Sequence, residues 1–303
     1  MKKRPHTLRP FVLGLLISAL APITAHADGR VMLMHVHGLS YSADGQQLVI
    51  PSHNGLAVFA SGHWSKAAGP AHDYMGYSAT RDTLYSSGHP APGSGLTNPF
   101  GLIKSRDGGK TWQKLGLEGE SDFHMLAAGY GTNAVYVVNH QPNSRMSQAG
   151  IYYTLADGLK WQRAEARGLG AKLNSLAVHP TDAKLVAVGT DDGLYLSRDS
   201  ANSFEPLLGG TRVLAATFDL DGQHLWFSGH AGRATLARVA LTAGAKPETA
   251  ALPQMTEDAV AYIAQNPARH DEIAVATFKR SVFLSKNSGR SWTQVAKEGS
   301  GVE

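Results

Sequence analysis

The sequence predicts an all-β fold, a β-propeller of six four-stranded antiparallel blades. The first observation is a repeat, since the pattern at Ser105–Trp112 recurs in weaker form at 154–161, 197–204 and 285–292. These copies start 49, 43 and 88 residues apart, and the last spacing equals two units of 44 residues. The second observation is that each copy lies between short apolar runs punctuated by Gly, Asp and Asn, the composition of β-hairpins. Units of this length with four strands each are typical of propeller blades.

Each blade is expected to begin with its own first strand. These strands are predicted to start near Met34, Asp73, Phe123, Asn174, Val213 and Ala259. Two blades lack a clear copy of the repeat and are predicted from the spacing. One degenerate copy is expected around Leu236–Leu241, and a shortened one at Phe59–Trp64. The count is therefore six blades, with a seventh left open.

The first 27 residues have the organisation of an export signal. Residues 1–10 are basic, Phe11–Leu20 is apolar, and Ala25–Ala27 offers a small-x-small cleavage site. The apolar run is too short to span a bilayer, and no later apolar stretch reaches the length of about 18 residues that a span requires. We therefore expect a signal peptide at 1–27 and a single propeller domain at 28–303. The expected location is the bacterial periplasm or the extracellular medium.

Composition excludes several classes of function. Cysteine is absent, so disulfides, zinc–thiolate sites and cysteine nucleophiles are impossible. Four of the 28 basic residues lie in the first 27 positions, which contain no acid, and the remainder has 24 basic and 24 acidic residues. The mature chain is thus neutral, and a nucleic-acid partner is not expected. A nucleotide cofactor is not expected either.

The repeated Ser-x-Asp-x-Gly-x-Thr-Trp element resembles the Asp-box (BNR) repeat of sialidases, xyloglucanase-type glycosidases and sortilin-type receptors. The resemblance implies a structural hairpin between the third and fourth strands of a blade. In such a turn Asp107 can accept backbone N–H bonds, Gly109 can take a positive φ, and Trp112 can pack between blades. Sialidase chemistry is disfavoured, because it requires an arginine cluster and a tyrosine–glutamate pair that find no convincing match here.

A more specific resemblance is to exported bacterial Asp-box proteins described as glycosyl-hydrolase-like. It implies a sialidase-type propeller but supplies little mechanism, because a shared fold does not determine chemistry. The resemblance rests on six segments: His35–Leu39, Ser52–Leu56, His72–Gly76, Ser87–Pro90, Asp122–Met125 and Asn139–Met146.

Eight histidines are predicted to lie on one face of the propeller, at the mouth of the central channel. They fall at the starts of first strands or the ends of second strands, which share one edge of an antiparallel blade: His35, His37, His72 and His124, and His53, His89, His140 and His230. His35 and His37 are two residues apart and therefore point to one side of a strand. Imidazole suits copper and zinc, and nearby methionine thioethers would favour copper(I). The cluster is predicted to bind a transition metal, copper or zinc.

Three alternatives stay open at this stage. The histidines could form a metal-free polar site for a small polar ligand or a glycan. Asp73 and Asp122, on the same predicted face, could be the carboxylate pair of a glycoside hydrolase, or could hold imidazoles in the metal-binding tautomer. A protein-docking scaffold fits the fold equally well but does not explain where the histidines are placed.

Overall fold

Residues 31–302 are described by a computed structural model, in which they form six antiparallel sheets in chain order. Five sheets have four strands, and the last carries a fifth. The described part of the chain is thus a six-bladed propeller, as predicted, with no seventh blade. It contains no helix long and apolar enough to cross a membrane. The predicted export signal lies outside the described residues.

The first three blades run from β1 to β12. Blade 1 contains β1 (Ser40–Tyr41), β2 (Leu48–Ser52), β3 (Gly55–Ala60) and β4 (His63–Lys66). Blade 2 contains β5 (Asp73–Ala79), β6 (Leu84–His89), β7 (Leu102–Ser105) and β8 (Gln113–Gly116). Blade 3 contains β9 (Leu126–Ala128), β10 (Val135–Asn139), β11 (Gly150–Thr154) and β12 (Gln162–Arg163).

The last three blades run from β13 to β25. Blade 4 contains β13 (Leu173–Val178), β14 (Val186–Thr190), β15 (Gly193–Ser197) and β16 (Glu205–Gly209). Blade 5 contains β17 (Arg212–Phe218), β18 (His224–His230), β19 (Ala234–Ala240) and β20 (Glu248–Thr249). Blade 6 contains β21 (Val260–Gln265), β22 (Ile273–Thr277), β23 (Val282–Ser285), β24 (Thr293–Lys297) and β25 (Ser300–Gly301).

The core is divided among the interfaces between blades. Six apolar clusters occupy these interfaces, one for each pair of neighbouring blades. Between blades 1 and 2, for example, Val49 and Leu56 pack with Tyr74, Phe100 and Ile103. Because both faces of a blade are covered by neighbours, the second strands β2, β14 and β22 are buried along their whole length.

The hairpin between the third and fourth strands has the same hydrogen bonds in several blades. In blade 2, Asp107 accepts the backbone N–H of Thr111 at 2.9 Å and its hydroxyl at 2.6 Å. Asp199 of blade 4 accepts from Ser203 in the same way. In blade 6, Asn287 accepts the backbone N–H of Ser291 and donates its amide N–H to the Ser291 hydroxyl. In blade 3 the equivalent position is Ala156, which has no side-chain acceptor.

The first strands of all six blades line a central cavity of about 500 Å³. His37, His124 and His140 lie in its wall at the end where first strands begin. Tyr130, Pro180 and other residues that follow the first strands line the opposite end. The chain therefore encloses a channel with histidines at one mouth.

Candidate functional site: a histidine cluster at the channel mouth

Two imidazoles of the site lie on the segment that enters blade 1. His35 and His37 precede β1, and their rings are nearly parallel, with centroids 5.9 Å apart. His35 has a φ of 149°, a conformation that is costly for a residue with a Cβ. Strained residues of this kind concentrate at functional sites, so this conformation is consistent with a role for His35 beyond packing.

The third imidazole comes from the hairpin between β2 and β3. His53 follows Ser52 at the end of β2, and Gly55 closes the turn with a φ of +93°. The ring of His53 lies 4.2 Å from that of His35 and 4.9 Å from that of His37. One ring nitrogen from each of the three histidines lies within 4.8 Å of the others. Among residues 31–302, no other set of three or more His, Asp or Glu side chains brings possible metal ligands this close together. We call these three residues the histidine triad.

Burial keeps one member of the triad uncharged. Desolvation lowers the pKa of His37 from 6.5 to about 4, and the neighbouring charges of His53, His35 and His124 add to the effect. The nearby Asp73 carboxylate acts in the opposite direction. The Nε2 atom of His37 is buried and has no hydrogen-bond partner among residues 31–302. At neutral pH this nitrogen therefore carries a lone pair, or an unpaired N–H, that no group in the described part of the chain satisfies.

Asp73 supports the triad from blade 2. Its Oδ2 atom lies 3.5 Å from Nδ1 of His53, and its side chain is about one-fifth exposed. A carboxylate hydrogen-bonded to one ring nitrogen fixes the tautomer of an imidazole, but this contact lies at the outer limit of hydrogen-bond distance. The second carboxylate oxygen of Asp73 is buried, and none of the residues that the structure describes forms a hydrogen bond with it.

Asp122 organises a second group, which we call the Asp122 cluster (His89, Asp122 and His124). Its Oδ2 atom lies 3.0 Å from Nε2 of His89 and 3.2 Å from Nδ1 of His124. The other ring nitrogen of His89 lies 2.7 Å from the amide oxygen of Asn98. Both predicted aspartates thus contact imidazoles.

The other three predicted histidines do not join these groups. His72 is buried between blades 1 and 2, where its ring packs on Phe100 and Tyr74 and accepts the backbone N–H of Ala91 at 2.9 Å. Its position one residue before β5 directs it into the blade interface rather than the channel, and burial lowers its pKa. His140 and His230 are exposed at the ends of second strands. Five of the eight histidines predicted at the channel mouth therefore form these two groups, and His140 lies in the wall of the same mouth without joining them.

Sequence reasoning missed Asn98. It lies in the long loop between β6 and β7, a stretch rich in proline, glycine and serine. Loop residues of this kind give no periodic signal, so only the fold brings Asn98 to His89.

No family model matches the sequence, and no curated protein matches it. Among solved structures, the chain is similar to the GH74 enzyme of Niastella koreensis, with a TM-score of 0.58 and 14% identity over 88% of this chain. It is also similar to the GH74 xyloglucanase of Xanthomonas campestris, with a TM-score of 0.56 and 14% identity over 88% of this chain. The chain spans about half the length of these two structures, 46% of each.

A third similar structure is YCF48 bound to the D1 peptide. The TM-score is 0.52, with 16% identity over 88% of this chain and 82% of that one. At these identities the similarity is one of fold. It supports the propeller architecture and does not assign an activity.

Proposed function

We propose that this protein is an exported propeller that binds one transition-metal ion, copper or zinc, on His35, His37 and His53. The observation that carries the proposal is the convergence of three ring nitrogens within 4.8 Å. The buried Nε2 of His37, which has no hydrogen-bond partner, supports it. A metal ion bound at Nε2 would satisfy this nitrogen, whose burial without a partner among the described residues otherwise costs free energy.

The ligand set favours a site with an open coordination position. Three imidazoles supply three ligands, and His35 is exposed, so solvent or a small ligand can reach the metal. Zinc sites with three protein ligands commonly bind water or substrate in the fourth position.

The methionines bear on the choice between copper and zinc. Met34 is about half exposed, and its sulfur accepts a hydrogen bond from Asn54, the neighbour of His53. Met146 is buried in the core between blades 2 and 3, where it packs and is not available as a ligand. Of these two methionines, only Met34 is exposed next to the triad segment, where a thioether would favour copper(I).

Titration of metal-stripped protein with Cu²⁺ and Zn²⁺ tests the triad. We expect the double variant His35→Ala, His37→Ala to bind one equivalent less than the wild type, because two of the three ligands are gone. His140→Ala, which removes an exposed imidazole at the same channel mouth, is the matched control and should keep the wild-type stoichiometry. Equal stoichiometry in the double variant and the wild type, or no uptake by the wild type, would reject the proposal.

Export is part of the proposal. The basic, apolar and small-x-small segments of residues 1–27 support it. Fractionation of cells expressing the full chain should find the protein, shortened at its N-terminus, in the periplasm or the medium. Retention of the uncleaved chain in the cytoplasm would contradict it.

A carbohydrate-active enzyme is the second candidate. Asp73 and Asp122 each have one buried carboxylate oxygen without a hydrogen-bond partner within residues 31–302, and glycoside hydrolysis requires two carboxylates. The xyloglucanase among the similar structures suggests xyloglucan as the first substrate to assay. On this interpretation Asp73→Asn abolishes release of reducing sugar, whereas the triad double variant retains it. Full activity in Asp73→Asn would exclude this assignment.

A further inference from the structure

We propose that the central channel binds a small, uncharged and largely apolar molecule just inside the histidine mouth. The binding element is a ring of partly exposed apolar side chains, which we call the apolar collar: Leu39, Met125, Leu173, Leu214 and Tyr262. They come from five of the six blades, and each lies within the first three positions of a first strand or directly before it. His124 directly precedes Met125, so the collar begins where the histidines end.

Repeated β-bulges shape this part of the channel. In blades 4, 5 and 6 the ladder between the first and second strands shifts register near its start and skips one residue. The skipped residues are Asn174, Leu214 and Ala261, and all three line the channel. Bulges redirect side chains and are over-represented next to functional sites. The same device in three blades, at nearly the same strand position, indicates that this stretch of the channel serves more than packing.

Leu214 shows most clearly that the collar is not part of the core. Its side chain is partly exposed, and within residues 31–302 it belongs to none of the six apolar clusters between blades. A leucine that lines a cavity without packing in a core cluster leaves apolar surface in contact with water, which is unfavourable. An apolar ligand in the collar would remove this surface from water.

The charge and size of the channel define the class of ligand. Among the residues that the structure describes, its lining contains no aspartate or glutamate, and Lys172 is its one lysine or arginine. Lys172 is exposed before β13, where water solvates its charge. A charged group in the collar would therefore lose its hydration without meeting a fixed counter-charge. The volume of about 500 Å³ is that of a small-molecule site, and the hydroxyl of Tyr262 suits a ligand with one hydrogen-bonding group.

The collar adjoins the proposed metal site but does not depend on it. None of its five residues is a triad ligand. His37 belongs to the triad and also lines the channel, so a molecule in the collar would lie next to the triad. The channel thus supplies a ligand site of different chemistry beside the three imidazoles.

Equilibrium dialysis of the metal-stripped full chain against 1-naphthol tests this inference. The probe is uncharged at neutral pH, has an apolar two-ring body and carries one hydroxyl. We expect the wild type to take up one equivalent, and Leu214→Ala and Leu39→Ala to bind it about tenfold more weakly, because each removes apolar contact area. Leu208→Ala is the matched control, since Leu208 is also partly exposed but lies in β16, the outermost strand of blade 4. It should keep the wild-type affinity.

Each other outcome would overturn the inference. Absence of saturable uptake by the wild type would show that the channel holds water alone. Wild-type affinity in the collar variants would place the probe elsewhere, and displacement of the probe by an equal concentration of glucose would indicate a polar occupant. Leu214 and Leu39 lie in different blades, so either variant serves if the other fails to fold. Failure of the metal proposal appears separately, as unchanged metal stoichiometry in His35→Ala, His37→Ala.

Discussion

His37 is the residue that sets the electrostatics of the site. Three imidazoles in contact would repel one another if all were protonated, and burial of His37 prevents this by lowering its pKa to about 4. The ring is therefore neutral in the pH range where metals bind imidazole. The cost is a buried nitrogen without a hydrogen-bond partner in the described part of the chain.

The pKa of His37 predicts how the stability of the metal-free protein changes with pH. The unfolded chain binds a proton at His37 near pH 6.5, while the folded protein does so only near 4. Between these values the unfolded state holds more protons, so the free energy of unfolding decreases as the pH falls from about 6.5 to about 4. Urea unfolding of metal-free protein should show a smaller decrease over this range in His37→Gln than in the wild type. Equal decreases in the two proteins would contradict the assignment.

At the scale of the element, the turn between the third and fourth strands orders the outer part of a blade. Asp107 binds both the backbone and the hydroxyl of Thr111, and Trp112 directly after it packs on Tyr74, with ring centroids 4.8 Å apart. The polar turn thus places an aromatic side chain at the interface between blades 1 and 2. Blade 6 achieves the same turn with Asn287.

The natural asparagine in blade 6 supplies a test for Asp107. Asp107→Asn keeps an acceptor oxygen and adds an N–H that can bind the Thr111 hydroxyl, as Asn287 does with Ser291. It should change the urea midpoint at neutral pH much less than Asp107→Ala, which removes all of these bonds. Hydrogen bonds from Thr111 and Ser105 lower the pKa of Asp107 to about 2. The ionised carboxylate therefore stabilises the folded state fully above its usual pKa of 3.8, and this stabilisation is lost as the pH falls through 2. Equal midpoints for the two variants would contradict this account.

The start positions of the first strands show how much of the fold could be predicted from the sequence. The first strands of blades 2, 4, 5 and 6 were predicted to within one residue, because glycine and aspartate turns bound them. The strands of blades 1 and 3 start later than predicted, at Ser40 and Leu126. The residues in between, including His37 and His124, leave the ladder and form the site. Such segments have no regular alternation of apolar and polar residues. The sequence therefore could not predict which imidazole rings converge, because the directions of their side chains are determined only by the fold.

At the scale of the whole molecule, closure of the ring positions the site. The N-terminal segment joins blade 6, where the Leu33 N–H donates to the Gly299 carbonyl at 2.8 Å and Met32 pairs with Ser300. The indole of Trp64 in blade 1 donates to Val295 in blade 6 at 2.7 Å. His35 follows Leu33 by two residues, so the segment that closes the ring also delivers the first imidazole of the triad.

Closure through Leu33 should therefore couple global stability to the site. Leu33 is 1% exposed in the cluster between blades 1 and 6, and Leu33→Ala should lower the free energy of unfolding by about 2–5 kcal/mol because it leaves a cavity. Leu159→Ala is the matched control, since Leu159 is 83% exposed and its truncation should cost little. Urea unfolding measures both variants.

Under conditions where Leu33→Ala stays folded, its metal affinity should also fall, because the segment carrying His35 and His37 loses its anchor. Wild-type stability in Leu33→Ala would show that the ring does not depend on this contact, and unchanged affinity in a destabilised variant would show that the triad is held independently of it.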